Sequence, residues 1–310
     1  MDLVQLSVPS HPRPPWLRIR LRTPERFHEV RRLVESQRLN TVCEEARCPN
    51  IYECWGQHGT ATFMILGDVC TRRCGFCAVT TGKPAAGVDA DEPRRVAEAV
   101  AVMGLRHVVI TSVDRDDLAD GGAGHFADVI AAVRERNPGA AIEVLTPDFR
   151  GALDALDIVL AARPEVFSHN METVPRLYRE ARPGSEFARS LALLAGAASR
   201  RDRGEHGVRV KTGLMLGLGE DDAEIRATLR RVRDAGVEIL TLGQYLQPTR
   251  EHLPVHRWVH PDEFAALRAF ALELGFAHCE SGPLVRSSYH AHEHVPAPSS
   301  APESSSEETC

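Results

Sequence analysis

The feature that most constrains this chain is a regular alternation of short apolar runs and helical stretches between residues 61 and 275. The apolar runs are 61–70 (ATFMILGDVC), 107–113 (HVVITSV), 141–147 (AIEVLTP), 166–172 (VFSHNME), 208–218 (VRVKTGLMLGL) and 238–248 (EILTLGQYLQP). Helical patterns follow them near 91–104, 123–135, 149–157, 173–200, 220–235 and 261–274. Six strand-then-helix units with short connections predict parallel strands with the helices outside. Short runs apolar throughout suit strands buried on both faces. The expected fold class is α/β, either a doubly wound sheet or an incomplete (β/α)6 barrel. In both, chemistry collects beyond the strand C-termini. Polar residues gather there: Asp68 and Cys70; Asp114, Arg115 and Asp116; His169, Asn170 and Glu172; Glu220; then Gln244, Tyr245 and Gln247. A single polar loop residue means little, but the repetition at successive strand ends is informative.

With 310 residues, 43% hydrophobic and 26% charged, the chain has a globular composition and can fold without disulfide staples. A net charge of −6 excludes a generally basic nucleic-acid binder, though not a local basic patch. No run approaches a membrane span, and the N-terminus lacks the layout of a secretory signal. The expected compartment is therefore the reducing cytoplasm, where eight cysteines need a reason other than disulfides. The expected organisation is an N-terminal extension (1–60), a core (61–275), a C-terminal segment (276–294) and a low-complexity, acidic, disordered tail (295–310). Within the extension, one helix is expected over about 24–38, followed by a loop-like stretch at 41–60.

Six of the cysteines form two triplets. Cys43, Cys48 and Cys54 have the spacing C-x4-C-x5-C, and Cys70, Cys74 and Cys77 the spacing C-x3-C-x2-C. Disulfides do not suit a reducing compartment. Structural zinc usually takes four ligands in paired C-x2-C spacings, and neither triplet has that form, although a mixed Cys/His set across the two stays open. Close-spaced thiolates on a loop favour iron–sulfur clusters, in which a triplet leaves one iron for another ligand. The second triplet sharpens this reading, because it follows the first strand and carries Phe76 directly before its last cysteine.

That arrangement resembles the radical S-adenosylmethionine (SAM) superfamily. The resemblance implies a partial, TIM-like (β/α)6 barrel with N- and C-terminal extensions. It also implies a 4Fe-4S cluster on Cys70, Cys74 and Cys77 whose open iron chelates SAM. An electron from the cluster then cleaves SAM to a 5′-deoxyadenosyl radical. Adding the first triplet and RSSY (286–289), the stretch from about Trp16 to His292 is similar to the lipoyl synthases. The shared segments include ARCPN (46–50), ATFMILGDVCTRRCGFC (61–77), VITSVDRDDLADGGA (109–123), HNMETV (169–174), KTGLMLGLGE (211–220) and QYLQPT (244–249). This likeness implies a second, auxiliary 4Fe-4S cluster on Cys43, Cys48 and Cys54, with Ser288 as its fourth ligand and the cluster as sulfur donor. The implied reaction inserts sulfur at C6 and C8 of an octanoyl chain on a lysine of a lipoyl carrier protein. That carrier would be a 2-oxoacid dehydrogenase E2 or a glycine-cleavage H protein, and the reductant a ferredoxin or flavodoxin. Unactivated C–H bonds offer nothing to acid–base catalysis, so a radical is chemically reasonable. Biotin-synthase-like chemistry is the alternative enzyme, and a zinc scaffold or iron–sulfur carrier the alternative class. RSSY and the barrel argue against each in turn.

Four further residues are candidates for cofactor contact. Asn170 and Glu172 end the fourth strand, where the family places polar SAM contacts. Lys211, one of only two lysines, opens the fifth strand segment as either a cleft cation or a solvated strand end. Arg286 either pairs with SAM or positions the C-terminal segment. The Asp114–Asp116 loop reads equally as a SAM contact or a helix-capping turn. Tyr289 and Cys279 read as packing residues. The alternating His290, His292 and His294 border the tail and are not read as a metal site.

Overall fold

The protein is described by a computed structural model covering residues 13–18, 24–58, 61–85, 87–289 and 291. The tail at 295–310 and the three alternating histidines lie outside the described residues. The N-terminal extension carries α1 (Glu25–Ser36), β1 (Asn40–Thr41) and two short helices, α2 (Val42–Glu45) and α3 (Ile51–Glu53). The stretch expected as loop is thus largely helical. Its turns are set by the Thr41 side chain capping α2 and by local backbone bonds, which leave no apolar period to read. The core begins with β2 (Thr62–Ile65). In its loop, β3 (Val69–Cys70) pairs in parallel with β4 (Thr80–Thr81) before α4 (Glu92–Met103). Then follow β5 (His107–Ser112) and α5 (Ala123–Arg136), β6 (Ala141–Leu145) and α6 (Leu153–Ala161). After β7 (Val166–Ser168) come α7 (Tyr178–Ala181) and α8 (Phe187–Asp202). The last units are β8 (Arg209–Leu216) with α9 (Asp222–Asp234) and β9 (Ile239–Gln244) with α10 (Pro261–Glu273), closed by β10 (His278–Gly282).

All six expected units are present, and the strands pair in the order β1-β2-β5-β6-β7-β8-β9-β10. Every pairing from β2 to β10 is parallel, and β1 adds antiparallel on β2. The ends β1 and β10 are not paired to each other, so the barrel is incomplete. One strand face packs Phe63, Ile65, Val108, Ile110, Ile142, Val144, Phe167 and Val210 against the helices, each fully buried or nearly so. The alternate face looks inward and carries the barrel's few buried charges. Because strand side chains alternate, the pairing register decides which charges meet. Lys211 and Glu143 meet in this way toward the strand N-termini, joined at 2.7 Å with neither side chain more than 1% exposed.

Candidate active site

The Cys70–Cys77 loop is held from several sides by its backbone. Thr71 N–H donates to Asp114 O at 3.0 Å, and Gly82 N–H to Cys70 O at 2.9 Å. Gly75 N–H donates to Ala181 O at 2.9 Å, and Leu253 N–H to Gly75 O at 2.8 Å. His252 Nε2 donates to Cys77 O at 2.8 Å, while its Nδ1 accepts from Thr249 at 2.8 Å. A Cβ at Gly75 would stand 2.9 Å from Leu253 Cγ, so a side chain there would displace Leu253 or the loop. All three thiols are half-buried and none is in a disulfide. Burial pushes Cys74 up to about 12 and Cys77 up to about 11, and it raises Cys70 as well. Such thiols become thiolates when a nearby positive centre compensates, which is what bound iron provides.

Asn170 and Glu172 lie beyond β7 and are drawn onto β8. Glu172 N–H donates to Gly213 O at 3.0 Å, and Met215 N–H to Glu172 O at 2.8 Å. Glu172 adopts a left-handed φ of 65°, a conformation costly for a residue with a side chain. Burial raises its carboxyl above the ordinary range, against the pull of Arg182 and Asn170. Arg182 is the residue that sequence reasoning missed. Its Nη1 donates to Asn170 O at 2.7 Å and to the Tyr178 hydroxyl at 3.1 Å. The buried Asn170 Oδ1 and Arg182 Nε have no hydrogen-bond partner. Buried polar atoms are rarely left unpaired, so this corner is set up for a polar ligand. Arg182 ends a short helix with no motif around it. Its only signal was a cation close in sequence to HNMETV.

The other candidates fall elsewhere. Lys211 does not join this group; the structure gives it Glu143 as an ion-pair partner deep in the barrel. Burial lowers its ammonium from the ordinary lysine value, and Glu143 works against that. Asp114 and Asp116 pair with Arg72, and Arg115 pairs with Asp117 at 2.8 Å. The capping in that loop comes instead from Asp120, which accepts from Gly122 and Gly124 N–H. Gln244 staples the β9 end by donating to Leu216, Tyr245 and Arg257 carbonyls. Cys279 is buried on β10 and sits as a small apolar side chain.

The first triplet gathers at the seam between the two ends of the sheet. Cys48 N–H closes a turn on Cys43 O at 3.0 Å, and Cys54 N–H donates to Asn50 O at 2.8 Å. Phe27 of α1 stacks on Tyr52, with centroids 5.3 Å apart, and packs tilted against Trp55 at 5.5 Å. The C-terminal segment then comes in across the seam. Asn50 Nδ2 donates to Leu284 O at 2.8 Å, Thr62 Oγ1 to Ser288 Oγ at 2.9 Å, and the Tyr289 hydroxyl to Glu53 at 3.1 Å. Arg286 is half-buried and donates to Val285 O at 2.6 Å and Gln244 O at 3.3 Å. The approach is so close that a Cβ on Gly243 would lie 2.1 Å from Val285 O. Burial pushes Cys43 up to about 12 and raises Cys48, whose thiol the Arg286 cation pulls back down.

Among the described residues, no three His, Cys, Asp or Glu side chains converge tightly enough for a single metal ion. A 4Fe-4S cube asks for something different, because each thiolate takes its own iron and the sulfurs stand around the cube. Two sets of three thiols outside any disulfide, each with one position left for another ligand, fit that donor chemistry.

A model of the radical SAM superfamily matches residues 64–232, more than half of the chain. Its fold is similar to that of methylornithine synthase, with a TM-score of 0.51 at 15% identity over 84% of this chain and 79% of that one. It is also similar to a maturase of the FeFe-hydrogenase, with a TM-score of 0.53 at 13% identity over 70% of this chain and 55% of that one. The site and fold thus define a radical SAM enzyme. At the level of sequence the match is far closer to one group. The lipoyl synthase of Rubrobacter xylanophilus is 56% identical over 283 residues, covering 91% of this chain and 86% of the relative. That of Methylococcus capsulatus is 58% identical over 280 residues, covering 90% and 85%. The chain belongs to the lipoyl synthase family. No helix among the described residues is long and apolar enough to cross a membrane.

Proposed function

We propose that the chain inserts sulfur at C6 and C8 of an octanoyl chain borne on a lysine of a lipoyl carrier domain. Cys70, Cys74 and Cys77 hold a 4Fe-4S cluster that, when bound, supplies the electron that cleaves SAM. The loop's bonds to the β5 end, α7 and the 249–253 segment keep its three sulfurs at the barrel mouth. Asn170 and Arg182 offer an unpaired acceptor and an unpaired donor to the polar end of SAM. Glu172, held in its left-handed conformation, presents a carboxyl beside them. Cys43, Cys48, Cys54 and Ser288 hold the auxiliary cluster, which is the sulfur source and so a substrate. Arg286 places its cation beside Cys48 and pins the segment bearing Ser288. Lys211 serves as a structural ion-pair partner of Glu143 within the barrel. The carrier is an E2 subunit or a glycine-cleavage H protein, the reductant a ferredoxin or flavodoxin, and the compartment the cytoplasm.

The observation that carries this reading is the meeting of Ser288 with the first triplet's surroundings across 226 residues of sequence, through Thr62. The test uses anaerobically reconstituted protein with SAM, a reductant and an octanoyl-lysine peptide. Mass spectrometry is expected to find a peptide carrying two added sulfurs, together with 5′-deoxyadenosine. Formation of 5′-deoxyadenosine with no sulfur gained would leave radical chemistry standing and remove the lipoyl assignment.

A further inference from the structure

Arg72 stands between two of the cluster-loop cysteines, yet its side chain serves other parts of the fold. Its guanidinium is 3% exposed and makes a two-pronged contact with Asp116, Nε to Oδ2 at 2.7 Å and Nη2 to Oδ1 at 2.8 Å. Nη2 also meets Asp148 Oδ1 at 2.7 Å, Nη1 donates to Ser185 Oγ at 2.9 Å, and Asp114 lies 3.4 Å away. These partners come from the loops after β5, β6 and α7. Ser185 N–H in turn donates to Arg182 O at 2.9 Å, so Arg72 is one residue removed from the turn that carries Arg182. Nearby, Asp116 N–H donates to Thr71 Oγ1 at 3.0 Å, doubling the tie between the loop and the β5 end.

We propose that Arg72 is a positioning residue for SAM cleavage, fixing the Cys70–Cys77 loop relative to Asn170, Glu172 and Arg182. The proposal rests on the reading of Cys70, Cys74 and Cys77 as cluster ligands. The backbone bonds that hold the loop act at Thr71, Gly75, Cys77 and Gly82. Arg72 adds the lateral tie that sets the stretch between Cys70 and Cys74 against the ends of β5 and β6 and the loop after α7 at once. The planar fork matters here. Arginine offers five donors in a fixed planar fork, whereas lysine offers a point charge whose three donors cannot make the two-pronged contact with Asp116 while also reaching Asp148 and Ser185. A side chain that merely glued the loops together would change stability alone. A positioning side chain also changes how SAM is held.

The test uses Arg72→Lys in the full chain after anaerobic reconstitution. Iron and sulfide content and melting temperature report on whether the variant is folded and loaded. The KM for SAM and the kcat for its cleavage are then separated by following release of 5′-deoxyadenosine at a series of SAM concentrations. The electron paramagnetic resonance spectrum of the reduced protein is recorded before and after SAM is added. The expected result is full iron and sulfide, a KM for SAM raised about tenfold to a hundredfold, and a weakened SAM-induced spectral change. Asp116→Asn, which removes the two-pronged partner at its more exposed end, is expected to move KM in the same direction by less. It also serves if the lysine variant does not fold. A folded variant with wild-type KM and a wild-type response to SAM overturns the proposal, even if its melting temperature falls. Absence of any SAM-responsive signal in the unsubstituted protein would count against the cluster reading instead.

Discussion

The two cysteine triplets lie close together in the sequence but stand in different kinds of structure. Cys70, Cys74 and Cys77 belong to one barrel loop, flanked by the short β3–β4 pair and tied to neighbouring strand ends. Cys43 sits on α2, Cys48 in the turn between α2 and α3, and Cys54 directly after α3, all outside the barrel. Their surroundings are completed by residues 284–289, which arrive from the far end of the chain. The first site is local and inherits the rigidity of the sheet. The second is assembled from both chain ends and is only as stable as their docking. This difference suits the roles proposed for them. A site that must present SAM in one geometry benefits from the scaffold, and a sulfur source that is consumed has to be rebuilt at a place the fold can open.

The largest expected effect falls on the local site. Cys74→Ser is expected to lower 5′-deoxyadenosine formation by roughly a thousandfold, equivalent to about 4 kcal/mol of barrel-site chemistry, while the other triplet still binds iron and sulfide. Anaerobic assay with iron and sulfide analysis checks both halves. Next comes the assembled site. A chain ending before Leu284 loses the contacts at Asn50, Thr62 and Glu53 together. Dithiolated product is expected to fall by about a hundredfold, with SAM cleavage kept within about threefold. Equal loss of both would show that the two regions do not work separately.

A smaller effect concerns acid stability of the scaffold under the local site. His169 is buried, with Nδ1 donating to Thr146 O at 2.8 Å and Nε2 against Ser190 Oγ at 2.9 Å. Burial lowers its pKa from 6.5 to about 3. A depressed histidine pKa gives stability that is complete above 6.5 and is lost as the pH falls from there toward 3. Denaturant unfolding is expected to show up to about 1.4 kcal/mol lost per pH unit in that window, a component missing in His169→Gln. A wild-type slope unchanged by the substitution would exclude this histidine as its source. The smallest effect is Asn50→Ala, which removes one buried bond between the chain ends and is expected to cost about 1–2 kcal/mol in the same measurement.

The barrel was legible because each strand is an apolar run long enough to bury two faces, and each is followed by a helical period. The cysteine spacings were legible as iron–sulfur motifs for a chemical reason, since a triplet leaves an iron open. The helical character of 42–53 was not, because cysteines, carboxylates and turns obscure any period. Arg182 was invisible because its importance lies in a buried position that spacing does not encode. A lysine in VRVKT and a glutamate in AIEVL are charges within largely apolar strands, and such charges tend to find each other. In the Asp114–Asp116 loop, the partner Arg72 of both aspartates lies far upstream, where only the folded barrel brings them together.

The most direct test of the division between the two regions is Cys48→Ala, assayed on an octanoyl-lysine peptide with both products measured in one reaction. If the regions divide the work as proposed, 5′-deoxyadenosine forms at close to the wild-type rate and no peptide carries two added sulfurs. Dithiolated peptide formed at the wild-type level would contradict that division, as would loss of SAM cleavage together with the product in protein that retains its fold.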